Sequence, residues 1–438
     1  MKFTVERDVL AEAVGWVSRA LPARPVIPVL SGLLLQAADG LLLSCFDYEV
    51  SARAEVDAEV SEPGTVLVPG RLLAEITRSL PGLPIEFADD PDGVSLTCGS
   101  ASFTLVTLPV EEYPDLPALS QTAGTVDGGD LAAAIGQVAP AASRDDTLPL
   151  LTGVNVEVAG DMMTLAATDR YRLAVRDLPW SPARPDVTGS YLIPARTLVD
   201  AARTMTPGVP VTVRLRSDRD RAADLAREYG HTGPEDLDPG QQASARAADA
   251  MIGFESGGRR LTTRLIAGEY IKYRSRFPAE FACRADLPAA PFIEAVRRVS
   301  LVAERGSAVR LTFGRGEVTV AAETQGRARA REIISADFRG VEPAIAFSPH
   351  FLLDGIVAAG ASAAAPDGSG PGTGQIRLEF NSSTKPAVLT GIPPAQPSTG
   401  AAEPAQTEPA QAEAAEGAAT PGPGFRYLVV PLRMAGRQ

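Results

Sequence analysis

A chain of 438 residues with a formal charge of −13 is long enough for three domains of ordinary size. Its three cysteines, Cys45, Cys98 and Cys283, are far apart and in no metal-ligand spacing, which argues against a disulfide scaffold or a zinc site and for reduced thiols. No apolar run reaches the length of a membrane span and the charged, alternating start does not resemble a leader, so a soluble, cytoplasmic protein with no membrane partner is expected.

In chain order, Lys2–Val5 is predicted as a strand and Asp8–Ala20 as a helix, with Asp8 placed to cap its free N–H groups. Strands follow at Leu33–Gln36, Leu41–Cys45 and Val50–Val60, the first two separated by the hairpin signal Asp39-Gly40. Thr65–Val68 then begins a second round, with a helix over Arg71–Ser79 and strands near Ile85–Phe87, Val94–Cys98 and Phe103–Val106. The unit is strand, helix and three strands, said twice. Ser120–Asp127 is predicted as a linker. A second unit follows, interrupted between Leu215 and Ile252 by charged sequence with eight acidic residues against four arginines over residues 217–250, where Arg221–Glu228 could form a short helix. The third unit opens at Cys283–Asp286. Ala359–Gly374 and Pro393–Gly424 interrupt it with Ala, Pro, Gly, Ser and Gln, compositions that cannot bury enough apolar surface to offset ordering. The strand Phe425–Leu432 completes it.

Internal repeats fix these units. Leu10, Ala13, Val14 and Val17 recur 121 residues on as Leu131, Ala134, Ile135 and Val138, and the second set recurs 161 residues on at Phe292, Ala295, Val296 and Val299. Val68-Pro69-Gly70-Arg71-Leu72-Leu73 recurs 125 residues on as Ile193-Pro194-Ala195-Arg196-Thr197-Leu198, and less faithfully as Phe347–Leu352. Each is a strand running into a proline-led helix. Domains at 1–122, 123–282 and 283–438 are expected, in an α+β fold. Arg71 and Arg78 stand seven apart, on one helical face, and Arg196 and Arg203 repeat them; such faces are either ordinary solvated surfaces or a lining for phosphates.

Four stretches carry a family resemblance: Met1-Lys2-Phe3-Thr4-Val5, Arg24-Pro25-Val26-Ile27-Pro28-Val29-Leu30, Ala167-Thr168-Asp169-Arg170-Tyr171-Arg172-Leu173-Ala174 and Val430-Pro431-Leu432-Arg433-Met434. In this order on a threefold repeat, the chain resembles the bacterial sliding clamp, the beta subunit of DNA polymerase III. The resemblance implies three tandem clamp domains, helices inside and sheets outside a head-to-tail homodimeric ring around double-stranded DNA, and no active site or cofactor. It implies a nucleoid-associated protein whose partners are the polymerase III alpha subunit, the clamp loader, other polymerases and repair proteins. By the same likeness Arg24, Arg71, Arg78, Arg196 and Arg203 would meet DNA. A partner-peptide pocket would be built from Leu151, Thr168, Arg170, Tyr171, Arg172, Leu173, Ile271, Val429, Val430, Pro431, Leu432, Arg433 and Met434, with Arg172 free to take up a carbonyl or an acid.

Three departures stand beside the likeness. Family members carry a tyrosine pair near Pro149-Leu150; Ile271 stands where the family has proline; and Ala435–Gln438 extends past the usual end. These leave open a paralogue with an altered pocket, acting as a specialised or antibiotic-resistance clamp. Catalysis is not expected, since His231 and His350 have no neighbouring carboxylate or cysteine cluster and no phosphate-loop or zinc spacing occurs.

Overall fold

A computed structural model of the chain describes residues 1–215, 250–304, 307–324, 327–341, 344–363, 374–392 and 424–433. The predicted helix 221–228, His231, Met434 and the tail 435–438 lie outside the described residues. Six α-helices are described: α1 (Arg7–Val17), α2 (Gly70–Ser79), α3 (Gly128–Val138), α4 (Ala195–Ala202), α5 (Ala289–Ser300) and α6 (Pro349–Ser362). The apolar series read from spacing are their buried faces: Leu10, Ala13, Val14 and Val17; Leu131, Ala134, Ile135 and Val138; Phe292, Ala295, Val296 and Val299 are all buried. Two compact units are formed, one by Met1–Ile135, Val156–Met163 and Pro179–Gly268, the other by Gly136–Asn155, Thr164–Leu178 and the chain from Glu269.

In the first unit a five-stranded antiparallel sheet runs Glu59–Glu62, Lys2–Val5, Ile85–Asp90, Gly93–Cys98, Ala101–Leu105. A nine-stranded sheet runs Ser181–Pro182, Gln121–Asp127, Pro210–Leu215, Met251–Ser256, Arg259–Arg264, Val50–Val56, Leu41–Phe46, Gly32–Ala37, Gly64–Pro69. Arg259–Arg264 pairs antiparallel with Val50–Val56, so strands of the first and second repeats share one ladder. Leu215 pairs with Ile252, which closes the hairpin across the charged insertion.

In the second unit the strands Arg172–Pro179, Phe425–Val429, Ala387–Ile392, Gln375–Phe380, Cys283–Pro288 and Asp337–Arg339 are consecutive neighbours. Here the returning C-terminal strand joins the second repeat to the third. A four-stranded sheet, Ala328–Ser335, Glu317–Thr324, Val309–Phe313, Ala344–Phe347, completes the unit. All three cysteines are buried and free.

Several expectations are corrected. Asp8 lies inside the first turn of α1 and pairs with Arg7, while Glu6 occupies the cap position without a side-chain bond. Val50–Val60 is two strands, and Glu59–Glu62 leaves its sheet to pair with Lys2–Thr4. The predicted linker Ser120–Asp127 is mostly the strand Gln121–Asp127, held by Pro210–Leu215. Ala359–Ser362 is the last turn of α6 rather than the start of a low-complexity tract. The final strand ends at Val429. Pro69 and Pro194 stand at helix caps, one position earlier than the helical first turn, where Pro349 does sit.

Candidate peptide pocket and basic cleft

The second unit's site begins at a tight turn between two strands. Asp169 Oδ1 accepts the N–H groups of Tyr171 and Arg172, each at 3.0 Å, and Thr168 Oγ1 donates to the Arg172 carbonyl at 2.5 Å. Side chains that bond their own backbone in this way fix a turn without a regular ladder. The geometry forces Arg170 to φ +80°, a conformation that costs an L-residue free energy. Arg170→Gly is therefore expected to raise the unfolding free energy by about 0.5–1 kcal/mol, the strain relieved outweighing glycine's extra chain entropy; chemical denaturation measures it.

Arg172 is buried, and its guanidinium makes four hydrogen bonds inside the protein. Nε donates to Asp169 Oδ2 at 3.0 Å, Nη1 donates to Asp354 Oδ2 and Tyr427 Oη, Nη2 donates to the Pro140 carbonyl, and the group lies 4.7 Å from the Phe351 ring centroid. Burial opposes its charge, but Tyr427, Asp354 and Asp169 more than compensate, and its pKa stands above the ordinary arginine value. Burial pushes the Tyr427 phenol up. Gly355 on α6 permits this packing, because a Cβ there would come within 2.5 Å of the Tyr427 ring. The expectation that Arg172 is free to receive a peptide group is thus replaced by a role as the strut of the turn.

Beside the strut lies an apolar cluster of Ala166, Leu173, Val175, Tyr273, Val388 and Leu428, with Tyr270, Phe277 and Phe281 packed against it. Leu173 and Leu428 are direct cross-strand partners, which places them on one sheet face. Strand alternation puts Leu428 in this cluster, whereas Val429 is fully buried. Among the expected residues, Thr168 and Pro431 are buried, Leu151 and Val430 half-buried, and Arg170, Tyr171, Ile271, Leu432 and Arg433 exposed. Val430 N–H donates to the Tyr171 carbonyl at 2.9 Å and Leu432 N–H to the Ala346 carbonyl at 2.8 Å, so the terminal segment is docked through its backbone. Sequence reasoning missed Leu428, Tyr273, Phe277 and Phe351. Phe351 stacks with Tyr171 at 6.0 Å between centroids and packs against His350 at 4.1 Å. The available signals were the two-residue period through the terminal strand and the aromatic spacing Tyr270, Tyr273, Phe277.

The first unit holds a cleft of about 320 Å³ lined by Arg19, Leu21, Pro22, Ala23, Asp47, Arg71, Arg196, Thr197 and Asp200, among others. Arg71 from α2 and Arg196 from α4, matched by the 125-residue repeat, therefore face one concavity. Arg71 donates to the carbonyls of Leu21 and Pro22 at 3.3 and 3.2 Å. Both carboxylates of the lining have other partners: Asp47 accepts backbone N–H groups of Glu49 and Val50, and Asp200 lies 3.7 Å from Arg203. The cleft's balance is cationic. Arg24 is exposed next to Ala23; Arg78 and Arg203 are exposed but do not line the cleft, and Arg19 was not anticipated. Among the described residues no group of three His, Cys, Asp or Glu is placed to hold a metal ion, and no helix is long and apolar enough to cross a membrane.

Comparison with known proteins matches residues 1–117, 125–272 and 274–397 to the N-terminal, central and C-terminal domains of the DNA polymerase III beta subunit. The chain is 46% identical over 437 residues to a beta sliding clamp of Streptomyces coelicolor, covering 100% of both. It is 41% identical over 392 residues to the beta sliding clamp homolog GriR of Streptomyces muensis, covering 89% of this chain and 94% of that protein. In fold it matches a DNA polymerase sliding clamp from Bacillus subtilis, with a TM-score of 0.77, 22% identity and coverage of 99% and 100%. It also matches a Pseudomonas aeruginosa sliding clamp bound to griselimycin, with a TM-score of 0.76, 22% identity and the same coverage.

Proposed function

Since the chain belongs to the family of bacterial DNA polymerase III beta sliding clamps, a non-catalytic processivity factor built from three clamp domains, we propose that its cleft and its pocket divide the two tasks of such a protein. The cleft contacts duplex DNA, and the observation that carries this is the convergence of Arg71 and Arg196, from two repeats, with Arg19 on one concave wall whose carboxylates are otherwise occupied. Contacts of this kind are electrostatic and blind to base sequence, as sliding requires. Arg24, Arg78 and Arg203 extend the same basic surface. The half-buried Tyr270, Phe277 and Phe281, packed on the buried cluster around Leu173 and Leu428, take with the exposed Tyr171 and Leu432 the hydrophobic anchors of linear motifs from the polymerase alpha subunit, the clamp loader and other polymerases and repair proteins. Two strands that stand at sheet edges among the described residues, Ala101–Leu105 with exposed Phe103 and Ala328–Ser335 with exposed Ile333, support closure of a head-to-tail dimer by strand addition between copies. Domain boundaries near 122 and 282 and a nucleoid location follow from the same reading.

Loading by a clamp loader onto nicked circular DNA, with retention lost on linearisation, tests the proposal; a chain that sediments as a monomer and is not retained would overturn it. For the pocket, Leu432→Glu, at an exposed position of the terminal segment, is expected to weaken binding of a clamp-motif peptide at least 10-fold while leaving DNA retention intact, since it sets a charge against the peptide's apolar anchors without entering the core. Ile271, exposed where the family carries proline, favours a second reading in which the altered rim admits partner peptides but not a clamp-directed inhibitor. Binding of peptide without binding of griselimycin would support it; equal binding of both would remove it.

A further inference from the structure

The rim segment beside the apolar cluster has a charge pattern that the pocket reading does not use. Tyr273 belongs to the cluster and Tyr270 and Phe277 pack against it half-buried, while Lys272, Arg274 and Arg276 along the same segment are exposed. Arg274 lies 5.3 Å from the Tyr273 ring centroid, and Arg426 of the terminal strand lies 5.1 Å from that of Phe277. Two wall aromatics are thus covered by guanidinium groups. Arg426 is paired with Asp177, but Lys272 and Arg276 have no carboxylate partner among the described residues. Glu269 and Glu280, at the two ends of the segment, are outnumbered by its cations. An apolar site with such an edge complements a ligand that is apolar in the middle and anionic beside it.

Resting on the peptide-pocket reading, we propose that Lys272 and Arg276 make this site selective for motifs whose apolar anchors are flanked by aspartate or glutamate. The cations act at the rim, where they change encounter and discrimination more than the grip on the anchors. The test uses the full chain and two fluorescent ten-residue peptides with identical leucine and phenylalanine anchors, one with flanking Asp-Glu and one with Asn-Gln, titrated by polarisation. The acidic peptide is expected to bind about 10-fold tighter at 50 mM salt, with the ratio shrinking to about 2-fold at 500 mM. In Lys272→Glu with Arg276→Glu the order should invert while the Asn-Gln peptide keeps its affinity within about 2-fold, which also shows the variant to be folded. Equal affinity of the two peptides for the natural chain overturns the selectivity and leaves the pocket standing. Failure of both peptides to bind overturns the pocket and the selectivity together. If the double variant instead loses affinity for a 20-base-pair duplex with its peptide preference unchanged, the rim belongs to the DNA surface and the proposal falls.

Discussion

Arg172→Ala is expected to destabilise the second unit by about 3–5 kcal/mol, the range for removing one partner from a buried, hydrogen-bonded charge cluster. The cost arises chiefly from what stays behind. Asp169, whose side chain is 14% exposed, loses its cation while still tied to the turn, and the Pro140 carbonyl loses its donor. Asp354, at 40% exposure, relaxes into water and contributes less. Phe351 loses the guanidinium on its ring and Tyr427 a hydrogen-bond partner. Lysine should recover little of this, because one ammonium on a flexible stem cannot reproduce the planar fork that reaches Asp169, Asp354, Pro140 and Tyr427 together. Urea unfolding followed by tyrosine fluorescence measures the loss. A change below about 0.5 kcal/mol would mean that the cluster is solvated in solution and Arg172 is free for ligands. Because the same strut holds the turn bearing Tyr171 and Leu173, motif-peptide affinity should fall with stability.

The combined variant Arg71→Glu with Arg196→Glu is expected to lower affinity for duplex DNA by about 100-fold at 50 mM salt, through lost phosphate neutralisation and new repulsion. The slope of log affinity against log salt should fall in magnitude by about 2, one unit for each phosphate contact removed. The loss should be the same for unrelated duplex sequences, since phosphate contacts carry no base information. Both side chains are exposed and neither is ion-paired among the described residues. Arg71 gives up only its two long bonds to the Leu21 and Pro22 carbonyls, so the unfolding midpoint should barely move. An unchanged salt slope would detach the cleft from DNA and return these arginines to ordinary surface.

Helices and repeats were legible in the chain because their cause is local. Leu10, Ala13, Val14 and Val17 must share a face of any helix, and their recurrence marks the next copy. The strand at Gln121–Asp127 was hidden because Gln121, Thr122 and Gly124 blunt its alternation. Its partner Pro210–Leu215 lies far along the chain, and Gly124 is there because the Trp180 ring covers it. The candidate pocket was only half legible for the same reason. Thr168–Leu173 was recognisable as a unit, yet nothing local indicated that Asp354, 182 residues on, would close over Arg172 and turn a solvated cation into a buried one. The terminal strand alone does not distinguish Leu428 from Val429, because which face of a strand meets the cluster is decided by register, here the pairing of Leu428 with Leu173.

The direct pairing of Leu215 with Ile252 means that the ladder on either side of the charged insertion is complete without it. Chain added or removed between such partners changes the free energy only with the logarithm of its length, by about 0.6 kcal/mol for each doubling. This hairpin is therefore a neutral port, where a reporter domain can be spliced in while the pairing of Leu215 with Ile252 stays as it is.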